Sequence, residues 1–128
     1  MSKASERGAV AVEFALIAPV LIMLLLGIME FGRAYNAQIS LTNAAREGVR
    51  VMAITNTAAP ARDAAIRAAS TLSPTLSDTD IKFLASDGTD TCSESKLMTV
   101  TISYTLKTMT GIAGPFVMTG KGTMLCGG

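Results

Sequence analysis

Hydrophobic and polar positions divide the chain into successive regimes. From Phe14 to Met29 the run FALIAPVLIMLLLGIM carries no charge, and Ala9 to Val12 extends it backwards with Glu13 as the only interruption. At about 1.5 Å per residue the stretch from Ala9 to Met29 reaches roughly 30 Å, the thickness of a bilayer's hydrocarbon core. Pro19 near its start reads as a bend and not a stop, because a membrane helix can re-satisfy the freed carbonyl locally or through a neighbouring helix. Beyond Arg33 the pattern stays helical to about Ile54 but becomes one-sided, with Leu41, Ala45, Gly48, Val49 and Met52 on one face and Asn43, Arg46, Glu47 and Arg50 elsewhere. Such a stripe has to pack on something, either the chain's own C-terminal residues or a neighbouring helix in an assembly. Its small residues Ala44, Ala45 and Gly48 permit close approach.

The C-terminal half changes period. Thr55-Asn56-Thr57 and Pro60 interrupt the stem, and ARDAAIRAASTL predicts a short helix that ends before Ser73-Pro74, with Asp63 and Arg67 placed to pair. Asp80 to Leu84 alternates as a short strand, followed by the turn signal Asp87-Gly88. From Leu97 to Lys107, Met98, Val100, Ile102, Tyr104 and Leu106 alternate with polar residues, the signature of a half-buried strand. After a Gly-Pro connection, FVMTGKGTMLC predicts a returning strand softened by Gly120 and Gly122. The fold class is therefore α+β: a long N-terminal transmembrane and stem helix on a small antiparallel sheet of about three strands.

Composition narrows the chemistry. In 128 residues, 49% are hydrophobic but 5% aromatic, so the apolar excess is concentrated in one place. The net charge of +1 comes from dispersed residues, without the basic stripe that nucleic acid demands. The absence of His removes the commonest general base and transition-metal ligand. No GxSxG, paired-carboxylate, phosphate-loop or metal spacing is present, and Gly120-Lys121-Gly122-Thr123 lacks the rest of a phosphate loop. The expectation is a non-enzyme with no catalytic residues, metal or cofactor. Cys92 and Cys126 have no CxxC or zinc spacing, so a single disulfide in an oxidising compartment is the natural reading, against two unpaired thiols.

The short flank MSKASERG, with Lys3 and Arg7, stays cytoplasmic under the positive-inside rule, which sends the C-terminus outward. Arg33 on the far side opposes this, although Glu30 is placed to pair with it locally. Two other readings of the apolar run stay open: a buried core helix of a soluble protein, and a secretory signal with a cut near Gly32-Arg33-Ala34. Glu13 is costly inside an apolar run, less so near its end, so it either marks the interface or carries a function.

The stretch Gly8-Ala9-Val10-Ala11-Val12-Glu13-Phe14, behind a short basic leader, resembles the processing site of type IV-like prepilins, and its Glu-Phe pair resembles the Tad (tight adherence) branch. Further along, Pro19, the exit GIMEFGR at Gly27 to Arg33 and the AAREG at Ala44 to Gly48 resemble the TadE-like signature in order. The resemblance implies a minor pilin or pseudopilin with a pilin-like lollipop fold. Residues 1–8 would be a cytoplasmic leader, 9–32 a transmembrane helix, 33–56 an amphipathic stem and 57–128 an extracytoplasmic α+β domain. It also implies cleavage by an aspartic prepilin peptidase between Gly8 and Ala9, leaving Glu13 as the fifth mature residue. Glu13, followed by Phe14, would then pair with the new amine of its own or a neighbouring subunit.

The partners implied are the lipid bilayer, a prepilin peptidase, a major pilin and a second pseudopilin in a hetero-oligomeric assembly at the bacterial inner membrane. From a different class, an uncleaved single-pass binding module with an extracytoplasmic domain fits the same anchor and sheet; processing and partners separate the two. Arg46 and Arg50, four residues apart, offer an anionic-lipid or phosphate contact, or a solvated face balanced by Glu47.

Overall fold

The computed structural model describes residues 2–127, the side chain of Ser2 excepted. Met1, the first residue of the expected leader, and Gly128, the last of the expected outer domain, lie outside the described residues. The elements in chain order are α1 (Ser2–Thr55), α2 (Ala58–Ala68), a short 3-10 turn (Asp78–Asp80), β1 (Ile81–Ala85), β2 (Leu97–Leu106) and β3 (Phe116–Leu125). This is the α+β layout expected from the sequence. The chain divides into two units, Met1–Arg33 and Ala34–Gly128.

In the first unit α1 takes in residues 2–8 of the expected leader and runs through Pro19. α1 is long and apolar enough to cross a membrane, and none of its most apolar 18-residue window is buried. The side chains of Val10, Phe14, Leu16, Leu21 and Leu24 are all exposed. A soluble core helix buries such a surface, so this exposure favours the anchor over the core-helix alternative.

The second unit holds the core. β1, β2 and β3 form an antiparallel sheet in that order, and the register sets Phe83, Val100 and Gly122 in one row and Ile81, Ile102 and Gly120 in the next. Ile81, Val100, Ile102 and Met98 are buried on the inner face, and the stem contributes Leu41, Ala44, Ala45, Val49 and Met52 to the same cluster. The stem's stripe is thus covered by the chain's own residues.

The two glycines of β3 take on a meaning that strand propensity did not give them. A Cβ at Gly120 would lie 2.5 Å from the Leu41 carbonyl oxygen, and one at Gly122 would lie 2.8 Å from the Ala45 backbone. They are the seats on which α1 rests, a close approach of backbones that any side chain would block. Gly48 similarly faces Ala65 and Ala61 of α2, where an added Cβ would meet the Ala65 methyl at 3.2 Å. The small residues of the stem therefore serve contacts inside the unit.

α2 starts at Ala58, earlier than the expected Ala61, because Pro60 in a first turn gives up an N–H that has no helical partner anyway. Ala61, Ala64 and Ala65 are its buried residues. Asp63 and Arg67 do not form the expected pair, both being exposed where water competes effectively. After α2 the peptide Ser73–Pro74 is cis, and the buried Tyr104 hydroxyl donates to the Pro74 carbonyl at 2.9 Å.

The Asp87-Gly88 signal does form the turn after β1, with Gly88 at φ 85°. Asp87 Oδ1 accepts from the Thr89 hydroxyl at 2.6 Å and the Thr89 N–H at 3.0 Å. These bonds, the hydroxyl's first, hold the Asp87 carboxyl below its ordinary range.

α1 stops before Asn56, whose φ of 48° is left-handed, a conformation Asn tolerates better than most residues. Its N–H donates to the Met52 carbonyl at 2.9 Å, and its Oδ1 accepts from the Cys92 N–H at 2.7 Å. Asn56→Ala loses both the conformational fit and the long-range bond, and is expected to destabilise the second unit by about 1–3 kcal/mol. Asn56→Gly, which keeps the backbone but not the amide, should recover part of that loss in thermal unfolding.

Candidate functional site

The residues singled out at the N-terminus lie on the first unit's helix and are exposed together: Gly8, Ala9, Glu13 and Phe14, the last with 72% of its surface open. Ala9 and Glu13, four residues apart, share a helix face one turn apart, about 6 Å along the axis. A Cβ at Gly8 would meet nothing within 4 Å. Packing within the chain therefore gives no reason for a glycine there, although in a helix it costs about 1 kcal/mol relative to alanine.

At the other end of the apolar run, Glu30 and Arg33 approach to 3.7 Å, the local pair expected from their spacing. Further along the stem, Arg50 grips Glu47 through two bonds, Nη2 to Oε1 at 2.6 Å and Nε to Oε2 at 3.2 Å. The hydrogen bond, with charge attraction behind it, lowers the Glu47 carboxyl's pKa and raises that of the Arg50 guanidinium. Arg50 is thus committed to Glu47, which favours the solvated-face reading of AREGVR over an anion contact.

Cys92 and Cys126 form the expected disulfide, across a sequence separation of 34 and with Cα atoms 5.5 Å apart. It joins the loop before β2 to the residue after β3, both held at the C-terminal end of α1. There the Gly127 N–H donates to the Ala53 carbonyl at 3.2 Å and the Cys126 N–H to the Lys96 carbonyl at 2.8 Å. The part of Asn56 in this junction was not legible beforehand. The only sequence signal was an Asn just past a helical period.

No curated protein and no solved structure matches the chain. Residues 8–50 match the family described as TadE-like protein. The match opens on Gly8, passes through Glu13 and the apolar run, and closes within the stem at Arg50, so it takes in both the exposed N-terminal motif and the part of the helix that seats the sheet.

Proposed function

We propose that this protein is a membrane-anchored pseudopilin, a minor-pilin component that takes part in assembling a Tad-type adhesive pilus or a related secretion apparatus. The observation that carries the reading is a TadE-like match beginning at Gly8, on a helix whose most apolar 18-residue window is unburied and whose apolar run from Ala9 to Met29 is interrupted by one acidic residue, Glu13. In this reading residues 9–32 cross the cytoplasmic membrane, the N-terminus stays inside and the second unit lies outside. The role is structural and not catalytic.

Maturation is by a prepilin peptidase between Gly8 and Ala9. A peptidase needs its scissile bond out of the helix, and a glycine lowers the cost of local unwinding there. The cut creates an amine at Ala9 one turn from Glu13. In the bilayer's low dielectric a carboxylate without a cation is penalised far more than at a surface, so Glu13 drives pairing with an amine of its own chain or of a neighbouring pilin subunit. The partners are the peptidase, a major pilin and a second pseudopilin.

Glu13→Gln tests this role. The variant keeps the helix and improves insertion, so membrane levels should hold or rise, while co-isolation with the other pilins from detergent extracts falls several-fold. Unchanged co-isolation together with unchanged processing would remove Glu13 from assembly.

A further inference from the structure

We propose that the tip of the β2–β3 hairpin is a second membrane contact, placing its aliphatic side chains in the headgroup and upper acyl region of the bilayer that holds the anchor. The proposal rests on the reading that residues 9–32 span that bilayer.

The register of β3 against the stem gives the direction. The Gln38 amide donates to the Thr119 carbonyl at 2.9 Å, Gly120 seats on Leu41, Gly122 on Ala45, and the Gly127 N–H reaches Ala53. β3 therefore runs in the same sense as α1, and its beginning lies toward Ala34. That is the end at which the chain arrives from the apolar run. β2 is antiparallel to β3, so the connection from Lys107 to Pro115 projects from this same end.

The two connections of the sheet differ sharply in chemistry. The β1–β2 connection, at the opposite end, carries Asp87, Asp90 and Glu94 among Ser and Thr, so that the exposed Leu84 and Leu97 at its flanks sit beside carboxylates. The β2–β3 connection and its flanks expose Ile112 and Val117, each 78% open, together with Met109 at 59% and Phe116 at 39%. From Leu97 to Gly128 there is no acidic residue, only Lys107 and Lys121. Single exposed aliphatics are ordinary, but a cluster of them on one tip is not. An acid-free apolar tip suits a surface that is anionic outside and hydrocarbon beneath, whereas a tip meant for bulk water gains nothing from this composition. The acidic connection at the far end is the one that such a surface would repel.

The protein has no Trp, so a single introduced Trp is an unambiguous reporter. The full chain is placed in nanodiscs of phosphatidylcholine and phosphatidylglycerol carrying Trp at Ile112→Trp or, as a second tip position, Val117→Trp. Leu84→Trp, exposed near the acidic end, is the aqueous reference, and Leu24→Trp reports the anchor. Replacing part of the lipid with lipid brominated near the headgroup should quench both tip reporters several-fold more than Leu84→Trp, and acrylamide should quench them less. Tip reporters that match Leu84→Trp while Leu24→Trp is strongly quenched overturn the proposal and leave the anchor standing. So does a tip shielded from acrylamide but untouched by brominated lipid, since protein then covers it. A Leu24→Trp that brominated lipid does not reach overturns the anchor reading and this proposal together.

Discussion

Gly120→Ala is expected to be the most damaging single-methyl change in the protein, costing about 3 kcal/mol or more. The added Cβ would lie 2.5 Å from the Leu41 carbonyl oxygen and 2.6 Å from its carbon, so it strikes helix backbone and not the yielding end of a side chain. Relief requires α1 to lift off β3, which opens the layer formed by Ile81, Ile102 and Leu41, all buried at 0–1% exposure. In a unit of this size such a loss lowers Tm by roughly 10–25 °C. Gly114→Ala is the matched control, because a Cβ there meets nothing within 4 Å and the site lacks a left-handed φ. It should fall within about 0.5 kcal/mol of the parent. Scanning calorimetry of the full chain in detergent micelles reads both; a Gly120→Ala transition within a few degrees of the control would mean that α1 does not rest on β3 as described.

Loss of the disulfide is the other large effect. Closing a loop across 34 residues restricts the unfolded chain by about 3–4 kcal/mol in the loop-entropy treatment. The bond also holds the loop that donates to Asn56, so its removal should loosen the C-terminal end of α1 along with the end of β3. Cys92→Ala with Cys126→Ala avoids burying hydroxyls at two positions that are 8% and 4% exposed. The double variant should unfold at a temperature lower by roughly 10–25 °C and be cut by protease between β1 and β2. A parent protein whose gel mobility is the same with and without reductant would deny the bond altogether.

What could be read from the sequence was what repeats locally. The apolar run, the stem's one-sided stripe from Leu41 to Met52 and the alternation from Met98 to Leu106 each announce one element through its own period, and each element is where the pattern places it. The motif at Gly8, Ala9, Glu13 and Phe14 stands out in the sequence as residues at fixed short spacing, and the family match runs across it. What was illegible depends on partners distant in the chain. Gly120 and Gly122 read as weaknesses in a strand because their reason lies on α1, some eighty residues earlier. Asn56 read as a break, while the bond that fixes its role goes to Cys92, 36 residues on. α2's start was displaced because Pro60 can sit in a first turn as easily as before one, and short-range pattern does not separate the two. The connection after β2 was a mere linker until the register of β3 gave it a direction.

The most direct test of the account is the N-terminus of the mature protein, taken from native membranes that contain the cognate prepilin peptidase, by intact mass and terminal sequencing. The account predicts a chain beginning at Ala9, with the leader through Gly8 removed and Glu13 as the fifth residue. A chain that keeps its leader under those conditions would contradict maturation as a pseudopilin and favour an uncleaved, membrane-anchored binding module, and a chain beginning near Tyr35 would contradict the anchor itself.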